Sequence, residues 1–296
     1  MSCELCPRHC NIDRENKVGF CGESNKVRIA RAALHQWEEP CISGENGSGT
    51  IFFTGCSLKC VFCQNYALSH ENHGKEVSVE ELSNIFLRLQ EKKAHNINLV
   101  TPTHFVPQII EAIKLARANG LVIPIVYNSS GYESVETIKM LNGYIDVYLP
   151  DFKYFSNELA KKYSRVSDYF ENATTAICEM FKQVGEFLLD ENGMIKRGMV
   201  IRHLILPGCT EDSKMVIDHI YELFRDKIFI SIMNQYTPLK TVEKFPEINR
   251  KVTDEEYDDV VDFALSLGIE NAFIQEGGAA EESFIPNFDL SLLENF

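Results

Sequence analysis

The sequence is short of positive charge: 29 Lys and Arg stand against 43 Asp and Glu, a formal net charge of -14 over 296 residues. That deficit argues against a nonspecific nucleic-acid binder, whose footprint is a basic patch or stripe, and leaves a protein or small-molecule substrate open. No stretch approaches the unbroken apolar run of about 20 residues that a membrane-spanning helix needs. The start, Met1-Ser2-Cys3-Glu4, lacks a basic segment followed by an apolar one. No nucleic acid, no membrane and a cytoplasmic location are therefore expected. Nor does the chain need disulfide staples, since a protein of this length buries roughly three quarters of its unfolded surface. Ten cysteines then need another explanation. In a compartment that keeps thiols reduced, clustered cysteines point to metal or redox chemistry.

With 45% hydrophobic and 24% charged residues the chain reads as globular. Residues 1–49 are rich in cysteine, polar residues and glycine and end in Ser43-Gly44-Glu45-Asn46-Gly47-Ser48-Gly49, which reads as a loop-rich metal- or cluster-binding extension closed by a flexible joint. From Thr50 the pattern changes. Short apolar or β-branched runs at 51–54, 97–100, 122–127, 145–149, 200–206 and 228–233 alternate with stretches of helical period and give six candidate strands. Capping boxes at Ser78 to Glu81 and Thr253 to Glu256 open two of the helices. Others are read at 106–120, 133–141, 169–184 and 213–224, with a hairpin around Asn192-Gly193. Such alternation makes an α/β protein with a parallel sheet, either doubly wound or a closed or partial barrel, whose function gathers where strands end. The main domain is expected over 50–282, followed by a tail at 283–296.

Directly after the first of these runs stands Thr54-Gly55-Cys56-Ser57-Leu58-Lys59-Cys60-Val61-Phe62-Cys63. Three thiolates on one short loop can bind three irons of a cubane and leave the fourth without a protein ligand, as an iron that binds a cofactor requires. A zinc site would normally be closed by a fourth Cys or His, which this loop lacks, although His70 and His73 follow it.

The Cys-x3-Cys-x2-Cys loop, with Phe62 ahead of its third cysteine, resembles the radical S-adenosylmethionine (SAM) superfamily. Over nearly the whole chain, from the N-terminal cysteines past Gln235-Tyr236, the sequence resembles PflX-type homologues of the pyruvate formate-lyase activating enzyme. The resemblance implies a partial (β/α)6 TIM-like barrel and a [4Fe-4S] cluster on Cys56, Cys60 and Cys63. It implies that the SAM amino and carboxylate groups chelate the unique iron. An electron from the reduced cluster, delivered by a reductant such as flavodoxin or ferredoxin, then yields a 5'-deoxyadenosyl radical that abstracts hydrogen from a substrate.

Polar residues recur at the expected strand ends. Thr101, Thr103 and His104 stand where the activating enzymes carry a Gly-Gly-Glu stretch, a departure from the family pattern. Asn128-Ser129-Ser130-Gly131-Tyr132 resembles the family's ribose-holding turn. Asp151-Phe152-Lys153 resembles its Asp-x-Lys, in which the lysine neutralises the methionine carboxylate. Arg202 and His203 interrupt an apolar strand; the Arg202 charge is expected to point into a polar barrel interior, and His203 reads either as a proton donor or as a hydrogen-bonded core histidine. By the same comparison Arg202 and Tyr236 face the cofactor; Gln275 and Glu276 end another short apolar run and are expected to close the rim.

Ahead of the barrel stand Cys3, Cys6, Cys10 and Cys21. Four thiols at this spacing can close a structural zinc site or ligate a second cluster fully, and the sequence leaves both open. Two functions are carried forward. One is a radical SAM enzyme acting on an unknown protein or small-molecule substrate, in one version an activase of a glycyl radical enzyme. The other is a metal-binding electron-transfer module that does not cleave SAM.

Overall fold

The apolar runs become strands because β-branched and aromatic side chains fit a pleated surface buried on both faces. The computed structural model describes residues 3–275; Glu276 and the tail at 283–296 lie outside them. Its strands are β1 (Arg28–His35), β2 (Ser48–Phe53), β3 (Lys75–Glu76), β4 (Ile97–Val100), β5 (Ile125–Ser129), β6 (Val147–Pro150), β7 (Leu188–Leu189), β8 (Ile195–Leu204), β9 (Phe229–Met233) and β10 (Ala272–Ile274). They join in the order β10-β9-β8-β6-β5-β4-β2-β1-β3, with β7 as a hairpin partner of β8. Pairing is parallel from β2 through β10 and antiparallel where β1 meets β2. The six expected strands are β2, β4, β5, β6, β8 and β9, and they form the parallel core of a partial (β/α)6 barrel.

The helices are α1 (Pro40–Ser43), α2 (Tyr66–Ser69), α3 (Val79–Glu91), α4 (Val106–Ala118), α5 (Val135–Met140), α6 (Asn157–Ser164), α7 (Tyr169–Val184), α8 (Thr210–Phe224) and α9 (Asp254–Ser266). Both expected capping boxes are present, with Ser78 and Thr253 each accepting from the backbone N–H three residues on. Strand β5 starts three residues later than its apolar run, because Val122 is 85% exposed and Pro124 has no N–H to give a ladder.

Two departures from the sequence reading shape the interior. Residues 28–35 are not loop but β1, whose Ile29, Ala30 and Ala32 are buried against the rest of the sheet. The glycine-rich run at 43–49 is not a flexible joint either. Ser48 and Gly49 begin β2 and are fully buried, and a Cβ at Gly49 would lie 2.8 Å from the Asn96 carbonyl oxygen. Here glycine provides close backbone approach rather than flexibility.

Because side chains alternate along a strand, Val126, Val147, Leu149 and Val200 face the barrel lumen, where they pack with Cys41 and Ile42 of α1. Their neighbours Tyr127, Tyr148, Met199 and Ile201 join the main core with residues of the surrounding helices. Strand β1 runs antiparallel to β2, so its end at His35 lies beside Ser48, at the end of the barrel remote from the cluster loop. The chain then turns inward, and Glu39, Cys41, Ile42 and Ser43 are buried, with Cys41 and Ile42 packed in the lumen.

Candidate active site

Two cavities adjoin at the C-terminal ends of the parallel strands. The smaller, about 220 Å³, is lined by Cys56, Cys60 and Cys63 together with Phe62, Thr101, Asn128, Asp151, Lys153 and Arg202. The larger, about 460 Å³, extends into the lumen and shares Gln64, Asn128, Arg202 and Gln235 with it. The fold thus brings together most of the residues singled out in the sequence. All of them follow or end parallel strands, the position where loops of such barrels carry function.

The cysteine loop is held from several directions. Ser164 Oγ donates to Cys60 Sγ at 2.9 Å and is itself 2.7 Å from the Tyr154 hydroxyl. The Leu58 N–H lies 3.4 Å from Cys56 Sγ, and Gln64 Nε2 donates to the Gln235 carbonyl at 2.7 Å, tying the loop to the end of β9. Burial pushes the Cys60 thiol up to about 12 and the Cys63 thiol up to about 11. Thiols in such surroundings ionise only with a strong cationic partner, and iron is one. Hydrogen bonds to the sulfurs and a shared cavity wall therefore fit a cluster. Among the described residues no three His, Cys, Asp or Glu side chains converge as a single metal ion demands. A cubane makes no such demand, because each thiolate meets a different iron.

Beside the sulfurs lies a buried ionic network. Arg202 donates through Nε to Asp151 at 2.9 Å, through Nη1 to Glu38 at 3.0 Å and through Nη2 to Asn128 Oδ1 at 2.6 Å. Lys153 Nζ donates to the other Asp151 oxygen at 2.6 Å. Burial pushes the Asp151 carboxyl up, but Arg202 and Lys153 outweigh it and hold the group below the usual carboxylate range. The cationic partners thus keep Asp151 charged although it is buried. Glu38 also accepts from Asn98 Nδ2 at 3.1 Å.

Gly131 lies where a left-handed φ of +76° is required, and a Cβ there would collide with the Asp151 carbonyl oxygen. Gly131→Ala is expected to cost about 1–3 kcal/mol in backbone strain and to weaken cofactor binding with it. An unchanged melting temperature together with unchanged cofactor affinity would contradict this.

Three expected residues point elsewhere, and His203 takes its core alternative. Thr103 lines neither cavity; its hydroxyl donates to Glu133 at 2.7 Å behind the strand ends. His104 is buried with Nε2 2.6 Å from the Thr54 carbonyl oxygen. Tyr236 donates its hydroxyl to the Ile248 carbonyl at 2.7 Å and packs its ring 6.0 Å from Phe62, so it supports the cluster loop from behind. His203 does not share the lumen with Arg202: strand alternation turns it to the helix side, where Nδ1 meets the Phe152 carbonyl oxygen at 2.7 Å. Gln275 takes its expected place on the cavity wall.

Glu133 accepts from Thr103 and from the Tyr127 hydroxyl. Burial is the main reason its carboxyl rises from 4.5 to about 7. The folded protein therefore keeps a proton that the unfolded chain loses above pH 4.5. The resulting loss of stability accumulates as pH rises to about 7 and is constant above it. The span is on the order of 3 kcal/mol. Glu133→Gln, which cannot ionise, is expected to gain on the wild type by about that amount between pH 5 and pH 8 in thermal unfolding. A difference that stays flat with pH would refute the assignment.

Sequence reasoning missed Glu38 and Glu39, which lie in a segment read as loop, and Ser164, which sits 104 residues from the cysteine it contacts. It also missed Arg8. That guanidinium lies 3.9 Å over the Phe20 ring and donates to the carbonyls of Ser57, Ser164 and Arg165, docking the N-terminal segment onto the cysteine loop. Within that segment Cys10 Sγ and Cys21 Sγ flank Gly19, each within 3.6 Å of where a Cβ would sit. Burial pushes the Cys6 thiol up to about 12 and the Cys21 thiol up to about 11.

Residues 50–220, from the second strand into the helix after Thr210, match the model of the radical SAM superfamily. The chain belongs to the radical SAM superfamily. Its members use a [4Fe-4S] cluster and SAM. An uncharacterized protein of Methanocaldococcus jannaschii is 32% identical to this radical SAM protein over 91% of the chain and 76% of the relative. A second uncharacterized protein of that organism is 22% identical over 99% and 87%. Among solved structures, HydG, a maturase of the [FeFe]-hydrogenase, superimposes with a TM-score of 0.51 at 17% identity, covering 77% of this chain and 52% of HydG. Streptococcus suis SuiB bound to its precursor peptide SuiA gives 0.50 at 14%, covering 76% and 47%. The chain spans about half the length of these two solved chains, and at such identities the likeness is one of fold. No helix of the described residues is long and apolar enough to cross a membrane.

Proposed function

We propose that this radical SAM protein holds its cluster on Cys56, Cys60 and Cys63, binds SAM in the smaller cavity, and acts on a substrate in the larger one. The observation that carries this reading is the shared wall: the three sulfurs, Asn128, Asp151, Lys153 and Arg202 face one space, and that space adjoins a second able to hold a small ligand. When bound, the reduced cluster supplies the electron that breaks a C–S bond of SAM. The chain's own residues bind and orient. In this reading Lys153 neutralises the methionine carboxylate, and Asn128 meets the ribose hydroxyls. Asp151 steadies both cations around it. Phe62 and Thr101 close the wall beside the sulfurs, and Tyr236 positions Phe62.

We read Cys3, Cys6, Cys10 and Cys21 as a second metal site, in the cubane version of that reading. Arg8 joins their segment to the cysteine loop of the barrel, as a cluster that relays electrons to the first would need. A flavodoxin- or ferredoxin-like reductant, a cytoplasmic location and kinship to the PflX-type branch accompany the proposal, with activation of a glycyl radical enzyme as its most specific form. The test is anaerobic reconstitution followed by iron counting and electron paramagnetic resonance of the reduced protein. A cluster signal that changes shape on adding SAM is expected. A signal indifferent to SAM would sink the reading.

A further inference from the structure

The larger cavity contains a carboxylate that the network at its neck does not satisfy. Glu39 lines the larger cavity and not the smaller one beside the sulfurs. It is only 8% exposed; Ser231 hydrogen-bonds to the carboxyl, and its Oε2 has no partner among the described residues. A buried acceptor left this way is costly unless a ligand completes it. The local charges agree. Arg202 is engaged by Glu38 and Asp151, and Lys153 by Asp151, so both cations at the neck already have carboxylate partners. His35 adds no charge, because burial first, and Arg31 with it, pushes its imidazole down to about 4. The remaining wall includes Phe273, and aromatic faces attract organic cations.

We infer that the larger cavity is the substrate chamber and that it selects a substrate whose inserted end is an organic cation, an ammonium or guanidinium group donating to Glu39. This rests on the reading of the neighbouring cavity as the SAM site. Burial raises the Glu39 carboxyl above its usual range, with Arg202 pulling against it. The group therefore takes up its charge most readily when a cation arrives to share it. A volume of about 460 Å³ admits a free metabolite or a single side chain of a peptide with its flanking backbone.

The test uses the full-chain reconstituted protein, anaerobic and unreduced, with saturating SAM. Binding of N-acetyl-argininamide, N-acetyl-lysinamide and the neutral isostere N-acetyl-citrullinamide is measured by ligand-observed NMR. One or both cations are expected to bind tighter than the neutral probe by about tenfold or more. Glu39→Gln should remove that preference while leaving the weak binding of the neutral probe. If Glu39→Gln does not fold, Phe273→Leu is measured instead and should weaken the cations alone. Equal binding of all three probes, or a preference that survives Glu39→Gln, would overturn the inference, as would a preference that survives Phe273→Leu where that variant stands in. Wild-type SAM cleavage is followed in parallel. Cleavage without charge selectivity removes the chamber assignment and spares the SAM site; selectivity without cleavage does the reverse.

Discussion

Replacing Cys60 with alanine will lower reductive cleavage of SAM by at least about 100-fold, because even outer-shell partners of a metal site cost 10–100-fold when removed and Cys60 is proposed as a direct ligand. Its sulfur is buried on the wall of the smaller cavity and receives the Ser164 hydroxyl at 2.9 Å. No other cysteine lines that cavity besides Cys56 and Cys63, so no nearby thiol can take its place. Cys10→Ala is the informative contrast. Cys10 lies in the N-terminal segment beside Gly19 and Phe20, and its loss should leave iron bound at the barrel loop. Iron counting and product assays on the two variants check both statements. A Cys60→Ala protein that still cleaves SAM would mean that the cluster sits elsewhere.

The second large effect is on stability. Arg202→Met will destabilise the fold by about 3–5 kcal/mol, the usual penalty for removing one partner of a buried ion pair. The guanidinium makes ion pairs with Glu38 and Asp151 and a hydrogen bond to Asn128. The side chains of the two acids are 8% and 16% exposed. Asp151 keeps Lys153, but Glu38 keeps only amide donors from Asn98 and Asn128. The melting temperature should fall by roughly 10 °C for a chain of this size. Arg202→Lys should recover only part of the loss, since an ammonium cannot reproduce a planar fork that meets three acceptors at once. A methionine variant as stable as the wild type would show that the network contributes nothing to the fold.

The parts of the site legible in the sequence were those carried by local signals. The cysteine spacing, Asn128, and the Asp151 and Lys153 pair follow strands whose apolar runs stand out, and each lies at a strand's C-terminal end. Arg202 was legible because a charge inside an apolar run has to be paired somewhere. His203, one residue on, takes the core-histidine alternative because strand alternation sends neighbours to opposite faces, and polarity alone does not say which face is wet. Thr103 was misplaced for a related reason. The chain turns into a short 3-10 segment at Thr103 to Phe105, which carries the hydroxyl behind the rim to Glu133.

What stayed hidden was non-local. Glu38 and Glu39 belong to a stretch whose glycines and polar residues look like a linker. Only the antiparallel pairing of β1 with β2 turns that stretch into the lumen, where Glu38 meets a strand 164 residues away. Arg8 likewise reaches carbonyls on two distant loops. No pattern of period 2 or 3.6 encodes such contacts.

The most direct measurement is anaerobic. The reconstituted protein is reduced with dithionite, mixed with SAM and assayed for 5'-deoxyadenosine and methionine by mass spectrometry. The account predicts both products in equal amount from the wild type and neither from Cys60→Ala. A wild-type protein with its barrel cluster present and reduced that formed no 5'-deoxyadenosine would contradict it.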